Sequence, residues 1–187
     1  MRVMKLKEAY PTAKVELWSQ DEHRLGLRPI IRKAWSPIGE RSMVKVNHRY
    51  KWTYLYAFAR PKSGEAFWLI LPTVNAEVFS LALENFAREV GAGKRKRILL
   101  VVDGAGWHTA KKLKVPEGIH LEFLPSHSPE LQPSERLWPL SDEAVANRHF
   151  EEIGELEEAL ARRCVALSDQ PEIIRSYINY HWWPNAA

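Results

Sequence analysis

An apolar run, RILLVV (97–102), stops at Asp103, and two glycines, a Trp and a His follow at once in DGAGWH (103–108). A second acid, Asp21, follows another alternating stretch, VELWSQ (15–20). Each stretch predicts a β-strand with the acid at its carboxyl end. In open α/β sheets, ligand sites gather at the carboxyl ends of the strands. If these two strands are parallel neighbours, the carboxylates stand side by side, and two such charges at neutral pH require a cation.

A third acid comes from a proline-rich segment, LPSHSPELQPSERLW (124–138). Pro133 suits the first position of a helix, which makes Gln132 the cap and Glu135 a first-turn residue. An acid there stabilises a helix start by about 0.3–1 kcal/mol without any further role. Glu135 gains weight because the strand before it, IHLEFLP (119–125), follows Asp103 and is expected to pair near it. The segment also offers Glu130, which lies between two prolines where backbone is extended or turned and an acid is poorly fixed. Glu135 is therefore the preferred third acid, on a helix anchored by Leu137 and Trp138. Glu22 lies close in sequence too, and Glu130 reads better as a supporting or surface acid. His108 and His127 could each orient water or phosphate, but a structural hydrogen bond is the preferred reading of both. Arg24, Arg28, Lys111, Lys112 and Arg136 are available to phosphates, with plain solvation the ordinary alternative.

The elements that must carry these residues alternate in type. AEVFSLALENFAREVG (76–91) has approximately helical apolar spacing, with Asn75 as N-cap and Gly91 and Gly93 as terminators. MVKVNHRYKWTYLYAFARP (43–61) predicts one or two strands, and Lys62, Ser63 and Gly64 form a hairpin turn into GEAFWLILP. RPIIRKAWSPIGE (28–40) reads as a loop or ribbon, and IGELEEALARRCVAL and EIIRSYINYHWW as two closing helices. A continuous apolar strand such as RILLVV belongs in a sheet covered on both faces. The expected architecture is a mixed α/β domain of three layers.

Composition narrows the function. The 187 residues suit one domain, and a 45% apolar share fills a sizeable core. A net charge of +4 permits an anionic partner without demanding one. The basic run KRKR (94–97) reads as a solvated turn. The single Cys164 allows no internal disulfide and reads as a buried, inert thiol. MRVMKLKEAY lacks the apolar core of a signal peptide, and the apolar runs are too short to span a bilayer, so a cytoplasmic protein without a membrane partner is expected. Zinc-ligand spacing and a GxSxG elbow are absent, and EVGAGKR lacks the spacing of a phosphate loop. Trp52, Tyr54, Tyr56 and Phe58 alternate as in a strand; base stacking is open to them, but core packing is preferred.

VVDGAGWHT, FLPSHSPELQPSERLW and ANRHF together resemble the catalytic domain of bacterial insertion-sequence transposases of the mariner-like superfamily, the IS-six-thirty group. The segment WSQDEHRLGL followed by RKAWSPIG resembles the surroundings of that family's first catalytic Asp, and the likeness runs from about Trp18 to Trp183. It implies a ribonuclease-H-like fold, a mixed central sheet flanked by helices. It implies that Asp21, Asp103 and Glu135 are catalytic, hold two Mg²⁺ or Mn²⁺ ions assembled with DNA, and cleave and transfer DNA phosphodiesters at transposon ends. The family pattern also places its third acid at the Glu before Arg-Leu-Trp. Here Gly104 stands where many relatives carry Asn, and Glu135 is 32 residues past Asp103, a little closer than usual. Full-length relatives carry an N-terminal helix-turn-helix region, for which the 20 residues before Asp21 are too few. One catalytic domain over residues 1–187 is expected, as a fragment, a split reading frame or a decayed copy. DNA is the implied partner, with room for a homodimer and for a separate chain supplying DNA binding. Two alternatives remain open: an inactive nucleic-acid-binding remnant, and a ribonuclease or structure-selective nuclease using the same acids.

Overall fold

A computed structural model describes residues 2–40, 43–125, 128–181 and 183. Five strands, β1 (Lys14–Gly26), β2 (Trp52–Arg60), β3 (Glu65–Leu71), β4 (Lys96–Val102) and β5 (Ile119–Phe123), form one sheet in the order β3-β2-β1-β4-β5. The first three are antiparallel neighbours, while β4 and β5 run parallel to β1. The helices are α1 (Arg2–Ala9), α2 (Ala76–Val90), α3 (Trp138–Asp142), α4 (Ile153–Ser168) and α5 (Pro171–Ile178).

Strand alternation sorts the core into two sides. On one side Trp18, Tyr56, Phe58, Ile98, Leu100 and Val102 pack against Phe79, Leu83 and Phe86 of α2. Phe86 stacks on Phe58 with ring centroids 4.3 Å apart and meets Trp18 edge-on at 5.1 Å. On the other side Leu25 and Leu55 meet α4, and Ala57 and Ala59 admit Leu137, Ile174 and Ile178. Farther along that side, Val15, Leu17, Leu99 and Val101 are covered by Val3 of α1 and by Trp183. Tyr56 and Phe58 are fully buried in this packing.

α2 has the ends its sequence predicts. The Asn75 side chain accepts from the Val78 N–H at 2.8 Å, and Gly91 ends the helix in the left-handed region at φ 67°. Gly64, in the β2–β3 turn, has φ 78°, and a Cβ there would stand 1.8 Å from the Pro171 carbonyl oxygen, so the turn packs directly under the start of α5. Only Lys94 and Arg95 of KRKR lie in the turn expected; Lys96 and Arg97 open β4, where Arg97 is buried over the Tyr10 ring at 4.1 Å and Lys96 pairs with buried Glu16. Cys164 is buried, and that burial pushes its thiol up to about 12. Among the described residues, no helix is long and apolar enough to cross a membrane.

Of the one or two strands expected in 43–61, one forms, β2, beginning at Trp52. Two expectations need correction. β1 does not end at Asp21: after its pairing with β4 stops at Ser19, it continues to Gly26 along β2. The helix expected at Pro133 starts as two 3₁₀ turns, Pro129–Leu131 and Pro133–Leu137, before α3. Gln132 does not cap with its side chain; its Nε2 donates instead to the Gln20 carbonyl at 2.8 Å, one residue past the last β1–β4 pair.

Because Phe86 joins three aromatic contacts in a closed core, Phe86→Ala is expected to cost about 3–5 kcal/mol. Leu81→Ala, on the exposed face of the same helix, is expected to cost less than about 0.5 kcal/mol. Urea denaturation of the two variants checks this, and similar losses from both would contradict the packing described.

Candidate active site

Ser19 of β1 lies opposite Val101 of β4, the last pair of their parallel ladder. Asp21 and Asp103 each follow two residues later, so the carboxyl ends of two central strands present acids at the same level. Glu135 arrives from the second 3₁₀ turn. That turn is tied to β1 by a 2.7 Å hydrogen bond between the Ser19 and Ser134 hydroxyls and by the Gln132 contact to Gln20.

The three carboxyl groups act on one another. Burial, then the charges of Glu22, Glu135 and Asp103, push the Asp21 carboxyl up to about 8. Glu135 is raised by burial and by the charges of Asp103 and Glu130. Asp103 goes the other way: the hydrogen bond from His108 holds it below the usual carboxylate range, against the effect of burial. Its Oδ1 accepts from the Ala105 N–H at 3.0 Å and from His108 Nδ1 at 2.7 Å.

His108 is buried, with its Nε2 3.0 Å from Glu22 Oε1. Both ring nitrogens therefore face carboxylates, an arrangement that favours the doubly protonated ring. Burial opposes that charge, but the bonds to Asp103 and Glu22 outweigh it and push the imidazole up to about 9. On the opposite side of β1, Trp138 Nε1 donates to Asp21 Oδ2 at 3.2 Å.

The remaining candidates are spread more widely. Glu130 is exposed on the first 3₁₀ turn, next to Glu135 electrostatically. Arg136 points to the C-terminal side, with its guanidinium 4.6 Å from the Tyr180 ring centroid. Arg24 lies 5.4 Å from the Trp52 ring centroid, and Lys112 is paired with Glu77. His127 falls outside the described residues.

Among the described residues, no three or more His, Cys, Asp or Glu side chains already enclose a metal-sized cage. Hydrogen bonds occupy one oxygen of Asp103 and one of Asp21, and Glu135 stands exposed beside them. The donors nevertheless suit a hard divalent cation: they are all carboxylate oxygens, and burial together with their mutual repulsion holds a proton on Asp21 well above its ordinary range.

Comparison with known proteins agrees with this architecture. Residues 16–157 match the family model described as DDE superfamily endonuclease. The chain belongs to that family. A curated relative, "Uncharacterized protein y4pE/y4sA" of Sinorhizobium fredii (strain NBRC 101917 / NGR234), is 35% identical over 132 residues, covering 70% of this chain and 96% of that one. Among solved structures, a pre-cleavage Mos1 transpososome aligns with TM-score 0.57 at 16% identity, covering 97% of this chain and 60% of that chain. The mariner Mos1 paired end complex with Mg aligns with TM-score 0.55 at 20% identity, covering 89% and 56%. The chain thus spans about three-fifths of the Mos1 chains, and the likeness establishes the ribonuclease-H-like fold.

In this DDE endonuclease domain, the sequence left two supporting residues without a role. Glu22 follows Asp21 and so points to the opposite face of β1, where His108 returns from the loop after β4; strand alternation was the available signal. Trp138 was assigned to anchoring alone, and nothing in its spacing marks its N–H as a donor to an acid.

These shifts fix a pH dependence. Asp21 has a folded value of about 8 against an ordinary 3.8, so the folded state holds a proton the unfolded state lacks, and stability falls as pH rises through that window. His108, raised from 6.5 to about 9, acts in the same direction: its contribution is full below 6.5 and lost as pH rises through about 9. Metal-free protein is therefore expected to lose stability steadily from pH 6.5 to 9, and Asp21→Asn to flatten the slope. Urea midpoints across that range are the measurement; a native stability that stays level or rises would contradict the assignment.

Proposed function

We propose that the domain is a metal-dependent DDE transposase that cleaves and transfers DNA phosphodiesters at transposon ends, with Asp21, Asp103 and Glu135 as its metal-holding acids. One observation carries the reading: carboxylates from three separate elements influence one another at the carboxyl end of the central strands. Family membership supplies the endonuclease class. The aligned Mos1 structures are transposase complexes, including paired end complexes with Mg and with Mn. Asp21 is raised by Glu135, while Glu130 acts on Glu135 from the exposed turn, which supports Glu135 as the third acid.

When bound, Mg²⁺ or Mn²⁺ supplies activation of an attacking water or hydroxyl and stabilisation of the leaving oxygen in an in-line displacement. The chain's own residues prepare the site. Asp103 is ionised and oriented by His108 and the Ala105 N–H. Asp21 would give up its proton to hold a cation, so loading near neutral pH would release protons. Glu135 is exposed and would hold the cation from the solvent side, open to substrate phosphate.

Calorimetry with Mn²⁺ is expected to show weak binding to the native chain and a loss of more than about tenfold in Asp103→Asn. Equal binding by both would remove Asp103 from the site. The chain's basic balance predicts salt-sensitive DNA binding, with log affinity falling linearly with log salt. Element-end and scrambled duplexes titrated across a salt series test it, and a strong preference that survives high salt would contradict it. Mn²⁺ and DNA binding without strand cleavage would instead favour an inactive remnant.

A further inference from the structure

Asp21 is gripped from its α3 side by a network that the acids alone do not require. The Trp138 indole N–H meets Asp21 Oδ2 at 3.2 Å. His23, on the same face of β1, lies flat against that indole, with ring centroids 4.9 Å apart and planes 15° apart. His23 Nε2 is 2.9 Å from Asp142 Oδ1, and Arg32 Nη2 donates to Asp142 Oδ2 at 3.0 Å. Arg32 also donates through Nη1 to the Pro139 carbonyl at 3.1 Å. Its backbone is clamped in turn by Asn147, whose Oδ1 accepts from the Arg32 N–H and whose Nδ2 donates to the Arg32 carbonyl, both at 2.9 Å. Asn147 adopts the left-handed conformation, φ 57°, while making this clamp.

We propose that Trp138 is a positioning residue for Asp21, and that His23, Asp142 and Arg32 serve to fix the plane of its indole. The proposal rests on the reading of Asp21 as a metal-holding acid. An indole N–H donates only: it offers no lone pair to a cation and takes no proton from the carboxyl group. It therefore holds Oδ2 and leaves Oδ1 free of the indole, without becoming a ligand itself. A free carboxylate crowded by Glu22, Glu135 and Asp103 would rotate away from them; the indole N–H on Oδ2, together with the Glu22 backbone N–H, opposes that rotation. The stacked His23 ring and the Arg32–Asp142 pair stop the indole from following. Hydrogen-bond partners of this kind, behind metal ligands, set metal affinity by orienting the ligand.

Trp138→Phe removes the N–H while keeping an aromatic ring, and Asp142→Asn loosens the support while leaving the indole in place. Mn²⁺ calorimetry on the full chain, below the melting temperature of each variant, is expected to show affinity about tenfold lower in Trp138→Phe and a smaller loss in Asp142→Asn. In native chain labelled with ¹⁵N-tryptophan, the Trp138 indole resonance is expected to move both on Mg²⁺ addition and in Asp21→Asn, a readout independent of turnover. Native-like Mn²⁺ affinity in Trp138→Phe, beside a large loss in Asp21→Asn, overturns the positioning role alone. Native-like affinity in Asp21→Asn overturns the reading of Asp21 and this proposal with it. If Trp138→Phe does not fold, Asp142→Asn and the indole resonance decide: no change in either overturns the proposal.

Discussion

The parallel register between β1 and β4 is the constraint on which the site depends. Ser19 opposite Val101 sets Asp21 and Asp103 at one level, and a slip of one residue would turn Asp21 to the other face of the sheet. Both strands are covered on their two faces where they pair, with Trp18, Ile98, Leu100 and Val102 under α2 and Val15, Leu17, Leu99 and Val101 under α1 and Trp183. Apolar packing thus holds the acids close against their own repulsion. Burial first, and then the charges of the neighbouring acids, leave Asp21 keeping a proton up to about 8.

Two different devices manage this repulsion from the two faces of β1. On the α2 face, His108 stands between Glu22 and Asp103 and supplies a buried positive charge to two acids at once. On the α3 face, Asp21 receives a neutral N–H from Trp138 and remains protonatable. Asp103 is therefore ionised and oriented near neutral pH, whereas Asp21 keeps its proton up to about 8. The asymmetry follows from strand alternation, because residues 21 and 22 cannot share a face.

The parts of this arrangement that were legible in the sequence are those governed by local rules. RILLVV ending in Asp103, the Asn75 cap and Gly91 terminator of α2, and the β2–β3 turn at Gly64 all follow from periodicity and turn chemistry within a few residues. The length of β1 was hidden because its second half pairs with only one neighbour: HRLG carries polar residues that interrupt the apolar pattern, while Thr53, Leu55 and Ala57 of β2 hold it in the sheet. The 3₁₀ start at Pro133 was hidden because Pro at a helix entry looks the same for either helix type. The Glu22–His108 contact joins residues 86 apart, and only the closed sheet brings them together.

Glu135 shows how an acid on an irregular segment can still inherit the precision of a strand. Its 3₁₀ turn makes few regular backbone bonds, and the residue itself is exposed. The residues just before it are not: Gln132, Pro133 and Ser134 are buried, and Gln132 and Ser134 bond to Gln20 and Ser19, the two residues preceding Asp21. The turn is thus indexed on β1 at the point where the β1–β4 ladder ends. Leu137, fully buried against Ala57, Ala59 and α5, pins its other side. With both flanks fixed, the backbone under Glu135 is positioned while its side chain stays free to swing. An acid so placed has its backbone fixed beside the ends of β1 and β4 and its carboxyl group open to solvent.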